Sequence, residues 1–143
     1  MFWIKGKPGS GKSTLLSFMY SNQNFYHKFG TGRSQSNYQH RRPKYLRHFF
    51  WYQGSTLQKN LSGFLRSVLW QSFTDVRETG MEIWNRHVAS AGESTTLSIQ
   101  VLRTLLHDVL ADPTYAFIFI IDALDKCQDR DAMLNLIRSL EAM

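Results

Sequence analysis

The chain of 143 residues has a single cysteine, Cys127. That excludes a disulfide framework and a cysteine-rich metal site. The cysteine itself is expected to be structural, because nothing near it marks it as reactive. Long apolar runs are also missing. The longest, Ala116 to Ile121, falls far short of the roughly 20 residues that a membrane-spanning helix needs. No h-region of a signal peptide is visible, so the expected compartment is the cytoplasm and no membrane contact is expected. Internal repeats and clear linkers are absent. His27, His40, His48, His87 and His107 show no metal-ligand spacing and are expected to be partly exposed polar residues. The sharpest absence is of acid: residues 1–74 contain eleven Lys and Arg but no Asp or Glu, whereas the rest holds all eleven acids and six Lys and Arg. Part of this bias has a local reason, given below. The rest lies in Lys28, Arg33, Arg41, Arg42, Lys44 and Arg47. No recognition motif accompanies these residues, so a solvated basic loop is expected and nucleic acid is not an expected partner.

What is present suits one soluble globular domain with a real core: 43% of residues are apolar and 20% charged. The chain opens with a short apolar run, Met1 to Ile4, read as a buried strand. Gly6 to Ser13 then spell G-K-P-G-S-G-K-S, which fits G-x-x-x-x-G-K-[ST]. Leu15, Leu16, Phe18 and Met19 follow at helical spacing. A strand, a glycine octet and a helix in this order form a phosphate-binding loop. Gly6, Gly9 and Gly11 permit unusual backbone angles and remove Cβ atoms that would block an approaching phosphate. The amides from Gly9 through Ser10 to Ser13 are expected to wrap a β-phosphate at the positive end of the helix. Lys12 is expected to reach the β- and γ-phosphates, the Ser13 hydroxyl to ligate Mg²⁺, and Thr14 to sit by the α-phosphate.

Ser21 to Pro43 lacks periodicity and reads as a long, partly disordered loop. Tyr45 to Tyr52 reads as an aromatic-rich strand. Ser55-x-x-Gln58 is a capping-box pattern. Leu57, Leu61, Phe64, Leu65, Val68 and Leu69 form an apolar stripe, predicting one long helix from Thr56 to about Phe73. A short helix around Met81 to Val88 and another over Leu97 to Leu110 follow, the second stopped by Asp112-Pro113. Tyr115 to Ile121 reads as a strand buried on both faces. A last helix is predicted over Asp129 to Leu140, with Asp129 and Asp131 at its positive end. Alternating strands and helices predict an α/β fold with a parallel sheet flanked by helices.

The Phe117 strand ends in Asp122-Ala123-Leu124-Asp125. An acid at the C-terminal edge of such a strand can hold Mg²⁺, directly or through a water. Asp122 is therefore the expected metal-side acid. Asp125 is a candidate catalytic residue that would orient a water toward the γ-phosphate, or else a turn acid.

Three blocks, FWIKGKPGSGKSTLL, FFWYQGSTLQKNLSGFLRSVLWQ and FIFIIDALDKC, together resemble fungal NACHT domains. These belong to the STAND class of P-loop NTPases, which includes nephrocystin-like N-terminal modules and vegetative-incompatibility proteins. The resemblance implies one partial domain over 1–143, with a Walker A motif over 6–14, a Walker B motif over 117–125 and a basic insert at about 21–44. It implies binding of ATP or GTP with Mg²⁺ in a signalling switch, and self-association or other signalling proteins as partners. The family's IDALDEC stands here as IDALDKC, so Lys126 replaces a second distal acid, and hydrolysis is expected to be weak or absent. In this class another strand lies between the phosphate-loop strand and the Asp122 strand, and it would follow residue 143. The sheet is therefore expected to be incomplete and the chain to be a fragment. Two other readings stay open at this point: a small P-loop kinase, and a non-binding remnant.

Overall fold

A computed structural model describes residues 4, 6–22, 41–75, 77–88 and 97–141. The elements in order are α1 (Lys12–Ser21), β1 (Arg42–Phe49), a 3-10 turn (Thr56–Gln58), α2 (Leu61–Asp75), α3 (Arg77–His87), α4 (Ile99–Leu110), β2 (Tyr115–Asp122), a second 3-10 turn (Leu124–Lys126) and α5 (Arg130–Glu141). The architecture is α/β: β1 and β2 pair in parallel, with Arg42 opposite Tyr115 and Phe49 opposite Asp122, and helices flank them. The strand expected at Met1 to Ile4 lies outside the described residues except for Ile4, which is irregular and exposed. Most of the basic loop, residues 23–40, lies outside them as well.

The core forms where the helical stripe meets the strands. Leu61, Phe64, Leu65, Val68 and Leu69 of α2 are all buried, as the period predicts. They pack with Leu46 and Phe50 of the β1 segment, Leu102, Leu105, Leu106 and Val109 of α4, and Met133 and Leu136 of α5. The predicted long helix is in fact two elements. The chain breaks at Lys59 and Asn60, because the Asn60 Oδ1 accepts the Gly63 N–H at 2.9 Å and so caps a new helix start. Lys59 O is taken by Gln128 N at 2.7 Å. Leu57 is consequently left 52% exposed instead of joining the core stripe. The capping-box contact does form: Ser55 N donates to Gln58 Oε1 at 2.8 Å, on the short turn.

Two strand expectations need correction. β1 runs from Arg42 to Phe49 rather than from Tyr45 to Tyr52, because the ladder to β2 fixes its ends and the chain turns at Trp51 to Gly54, where Gly54 N bonds Trp51 O. β2 is not buried on both faces: only Ile120 is buried and its other residues are half-exposed. Among the described residues β2 has a strand on one edge only. The helix touching it, α1, buries none of its own residues. Leu15 and Phe18 of α1 are exposed. The Tyr20 ring nevertheless lies 4.2 Å from the Arg47 guanidinium, a cation–π contact joining α1 to β1.

His48 was expected to be partly exposed but is only 8% exposed. It sits edge-on to Phe50 and Phe64, with ring centroids at 4.6 and 5.5 Å. Its Nε2 is buried without a hydrogen-bond partner. Burial pushes its pKa from 6.5 down to about 4. The neutral ring is therefore the folded form, and protonation favours the unfolded chain. Stability from this group is complete above pH 6.5 and is lost as pH falls through the window from 6.5 to about 4. By linkage the loss at pH 5 is about 2 kcal/mol. Urea unfolding at pH 7.5 and pH 5 should show this loss, and His48→Phe should reduce it. An equal loss in both proteins would mean that His48 does not govern it.

Candidate functional site

The glycine octet forms a tight turn that opens directly into α1. Ser10 N bonds Lys7 O at 3.2 Å, and Leu15 N bonds Gly11 O at 2.9 Å, starting the helix. Gly9 and Gly11 both sit at φ 78°, the left-handed region that an L side chain rarely adopts. A Cβ at either would meet nothing within 4 Å, so their requirement is torsional. Gly6 differs: a Cβ there would come 2.7 Å from Ser10 Oγ. Gly9, Ser10, Gly11, Lys12, Ser13 and Thr14 together line one open cavity of about 250 Å³.

Lys12 folds its side chain back into the loop. Its Nζ donates to Gly6 O at 2.7 Å and Lys7 O at 2.8 Å, and lies 3.3 Å from Ser10 Oγ. One ammonium thus gathers two carbonyls and holds its own positive charge at the rim of the cavity. The first turn of α1 contains no acid to oppose an incoming anion. These features make the loop chemically suited to an anion: left-handed glycines, a helix N-terminus and a fixed cation.

Asp122 ends β2, half-buried, and its Oδ1 accepts the Ala123 N–H at 2.8 Å. Ala123 adopts φ 54°, left-handed without being glycine, which throws the chain sharply into the following turn. α1 and β2 are in contact, which brings the elements bearing Ser13 and Asp122 together. Asp125 lies on the turn, exposed, and its Oδ2 is 2.9 Å from Lys126 Nζ. The hydrogen bond from Lys126 holds the Asp125 carboxyl below its ordinary range. Nothing in the sequence pattern marked this pairing beyond adjacency. Cys127 is buried, and burial pushes its thiol up, in keeping with a structural role.

Away from the loop, Asp108 of α4 bonds His87 of α3 at 2.7 Å, with Arg86 at 3.8 Å. The His87 bond is the main reason its carboxyl lies below the usual range. No metal-binding cluster is found among the described residues, and the pair ties α3 to α4. No described helix is long and apolar enough to cross a membrane.

The fold and site define a class: an α/β chain in which a glycine octet opens a helix beside a parallel sheet whose strand ends in aspartate. Compared with known families, the chain matches that of the nephrocystin 3 N-terminal domain over residues 1–142, and it belongs to that family. No curated protein and no solved structure matches it.

Proposed function

We propose that this chain is a nucleoside-triphosphate-binding module of a NACHT-type, STAND-class P-loop signalling switch, with weak or absent hydrolysis. The observation that carries this reading is the loop: left-handed Gly9 and Gly11 and the inward-folded Lys12 ammonium around one cavity at the start of α1. Residues present fit a bound triphosphate with Mg²⁺. Gly6 and Gly9 to Thr14 would hold the phosphates, and Ser13 and Asp122 would hold the metal. The metal would supply neutralisation of phosphate charge. Lys12 binds and orients phosphate, and the α1 N-terminus adds its dipole.

Asp125 is the candidate for orienting a water, and Lys126 already occupies one of its oxygens. An ammonium bonded to that carboxylate weakens it as a proton acceptor. This supports a module that binds and holds nucleotide more readily than it turns it over. We further propose that its partners are the nucleotide and other signalling chains, and that it works in the cytoplasm.

A thermal melt with and without Mg-ATP or Mg-GTP tests binding. At a hundredfold excess over Kd, the wild-type chain should gain about 2.7 kcal/mol, read as a rise of roughly 5–10 °C. Lys12→Ala should lose most of that rise. A wild-type melt that nucleotide leaves unmoved, or an equal rise in Lys12→Ala, overturns the reading. Turnover is tested separately: Lys126→Glu should hydrolyse faster than wild type. No gain in a folded Lys126→Glu protein would remove Lys126 as the brake.

A further inference from the structure

Among the described residues, Ala123 alone adopts a left-handed backbone without being glycine, at φ 54° and ψ 40°. An L side chain is disfavoured there, because its Cβ crowds the following carbonyl oxygen. Such a torsion persists only where the surroundings over-determine it, and it gathers at functional sites. At Ala123, hydrogen bonds on both sides supply that hold.

The peptide unit between Asp122 and Ala123 is gripped at both ends. Its carbonyl, Asp122 O, accepts the Phe50 N–H at 3.2 Å, one residue past the end of β1. Its amide, the Ala123 N–H, donates back to Asp122 Oδ1 at 2.8 Å. Beyond it, the Lys126 N–H donates to Ala123 O at 2.8 Å and closes the second 3-10 turn. The chain after that turn is pinned in its own right. Gln128 N bonds Lys59 O at 2.7 Å, Leu61 N bonds Asp129 Oδ2 at 3.1 Å, and Cys127 is buried. With the chain fixed before and after, Ala123 can leave the left-handed region only if the peptide unit in front of it flips. A flip turns Asp122 O away from Phe50 and the Ala123 N–H away from Asp122 Oδ1. The carboxylate then loses the donor that orients it. Among the described residues its second oxygen, Oδ2, takes no hydrogen bond.

We propose that Ala123 is a positioning residue for Asp122: its left-handed backbone keeps the preceding peptide unit turned so that one carboxylate oxygen is fixed and the other is left for a divalent cation. This rests on Asp122 serving Mg²⁺, as proposed above. It adds that a single backbone torsion, set by the last bond of the ladder and by the 3-10 turn, governs how well that acid holds the metal. Groups that hydrogen-bond a metal ligand typically change metal affinity by roughly 10–100-fold.

The test ranks side chains by their tolerance of positive φ rather than by size. Asn and Thr are both polar and close in volume, but Asn tolerates the left-handed region and β-branched Thr does not. Calorimetry measures ATP and GTP affinity, each in Mg²⁺ and in EDTA. In wild type, Ala123→Gly and Ala123→Asn, Mg²⁺ should strengthen binding by a similar factor. In Ala123→Thr that factor should fall by about tenfold or more. Its affinity in EDTA should not change, because the glycine loop is untouched. Amide hydrogen exchange on the wild-type chain without nucleotide is the second measurement, and it decides the matter if Ala123→Thr does not fold. The Ala123 amide should be protected, and Asp122→Ala should speed its exchange. If Mg²⁺ gives wild type no gain in affinity, the metal reading falls and this role falls with it. If wild type shows the gain and Ala123→Thr keeps it, the metal reading stands and the positioning role is overturned. Equal losses in the Asn and Thr variants, or an unprotected Ala123 amide, overturn it in the same way.

Discussion

Gly63→Ala should lower stability by about 4 kcal/mol, at the upper end of single-substitution effects. Intrinsic propensity points the other way, favouring alanine over glycine inside a helix by about 1 kcal/mol. The contact decides the sign. A Cβ at Gly63 would lie 1.5 Å from Leu57 O and 2.4 Å from Leu57 C. These are backbone atoms, so no side chain can swing aside. The 3-10 turn would have to shift, and it is tied on both flanks: Trp51 N bonds Gln58 O at 3.0 Å and Gln128 N bonds Lys59 O at 2.7 Å. In a chain of this length the change corresponds to a fall in Tm of roughly 10 °C. A melt unchanged or raised by the substitution would show that the turn yields freely.

Phe64→Ala is expected to cost roughly 3–5 kcal/mol, against a total stability of roughly 5–15 kcal/mol for a domain. Phe64 has no exposed surface. Its ring meets three others, with centroids at 5.5 Å to His48, 6.4 Å to Phe119 and 6.5 Å to Phe50. It is therefore the point where α2 joins both strands. Removing it leaves a cavity whose walls belong to three elements held by the ladder and by helix packing, so collapse is poor. Phe64→Leu fills most of that space and should cost less than about 1.5 kcal/mol. Chemical denaturation of the two variants beside wild type checks the pair. Equal losses would mean that ring contacts, not volume, carry the effect.

The α2 stripe was legible because burial on one face imposes a 3.6-residue period, and five of its six members are indeed core. Leu57 failed because a side-chain cap at Asn60 can restart a helix without disturbing the apolar spacing upstream. The β1 segment was recognised by its aromatics but misplaced toward its C-terminus. Propensity favoured Trp51 and Tyr52, whereas pairing with β2 began at Arg42 and tolerated Pro43 at an outward-facing position. His48 went unrecognised as core because a single histidine between aromatics carries no sign of which face it takes. The left-handed turn at Gly9 and Gly11 was legible from eight residues, since glycine spacing states a torsional requirement directly. The bonds from Lys12 to the carbonyls of Gly6 and Lys7 depend on loop closure and have no counterpart in the motif. Ala123 gave no warning either: left-handed backbone at an alanine is dictated by the turn around it, not by its own preference.

Gln71 Oε1 accepts the Arg47 N–H at 2.9 Å and its Nε2 donates to Arg47 O at 2.8 Å, and this clamp gives β1 two clocks. The amides of Leu46 and His48 face β2 and belong to buried residues, so they reach solvent only when the ladder itself opens. The Arg47 amide, one residue away in either direction, belongs to an exposed residue and is held by the Gln71 carboxamide. Its release needs a rotamer change of one half-buried glutamine, which also bonds Ser67 O at 3.0 Å, rather than a sheet opening. Neighbouring peptide groups on a single strand thus answer to separate barriers, one collective and one local. The outer edge of the sheet can fluctuate while its inner seam stays shut.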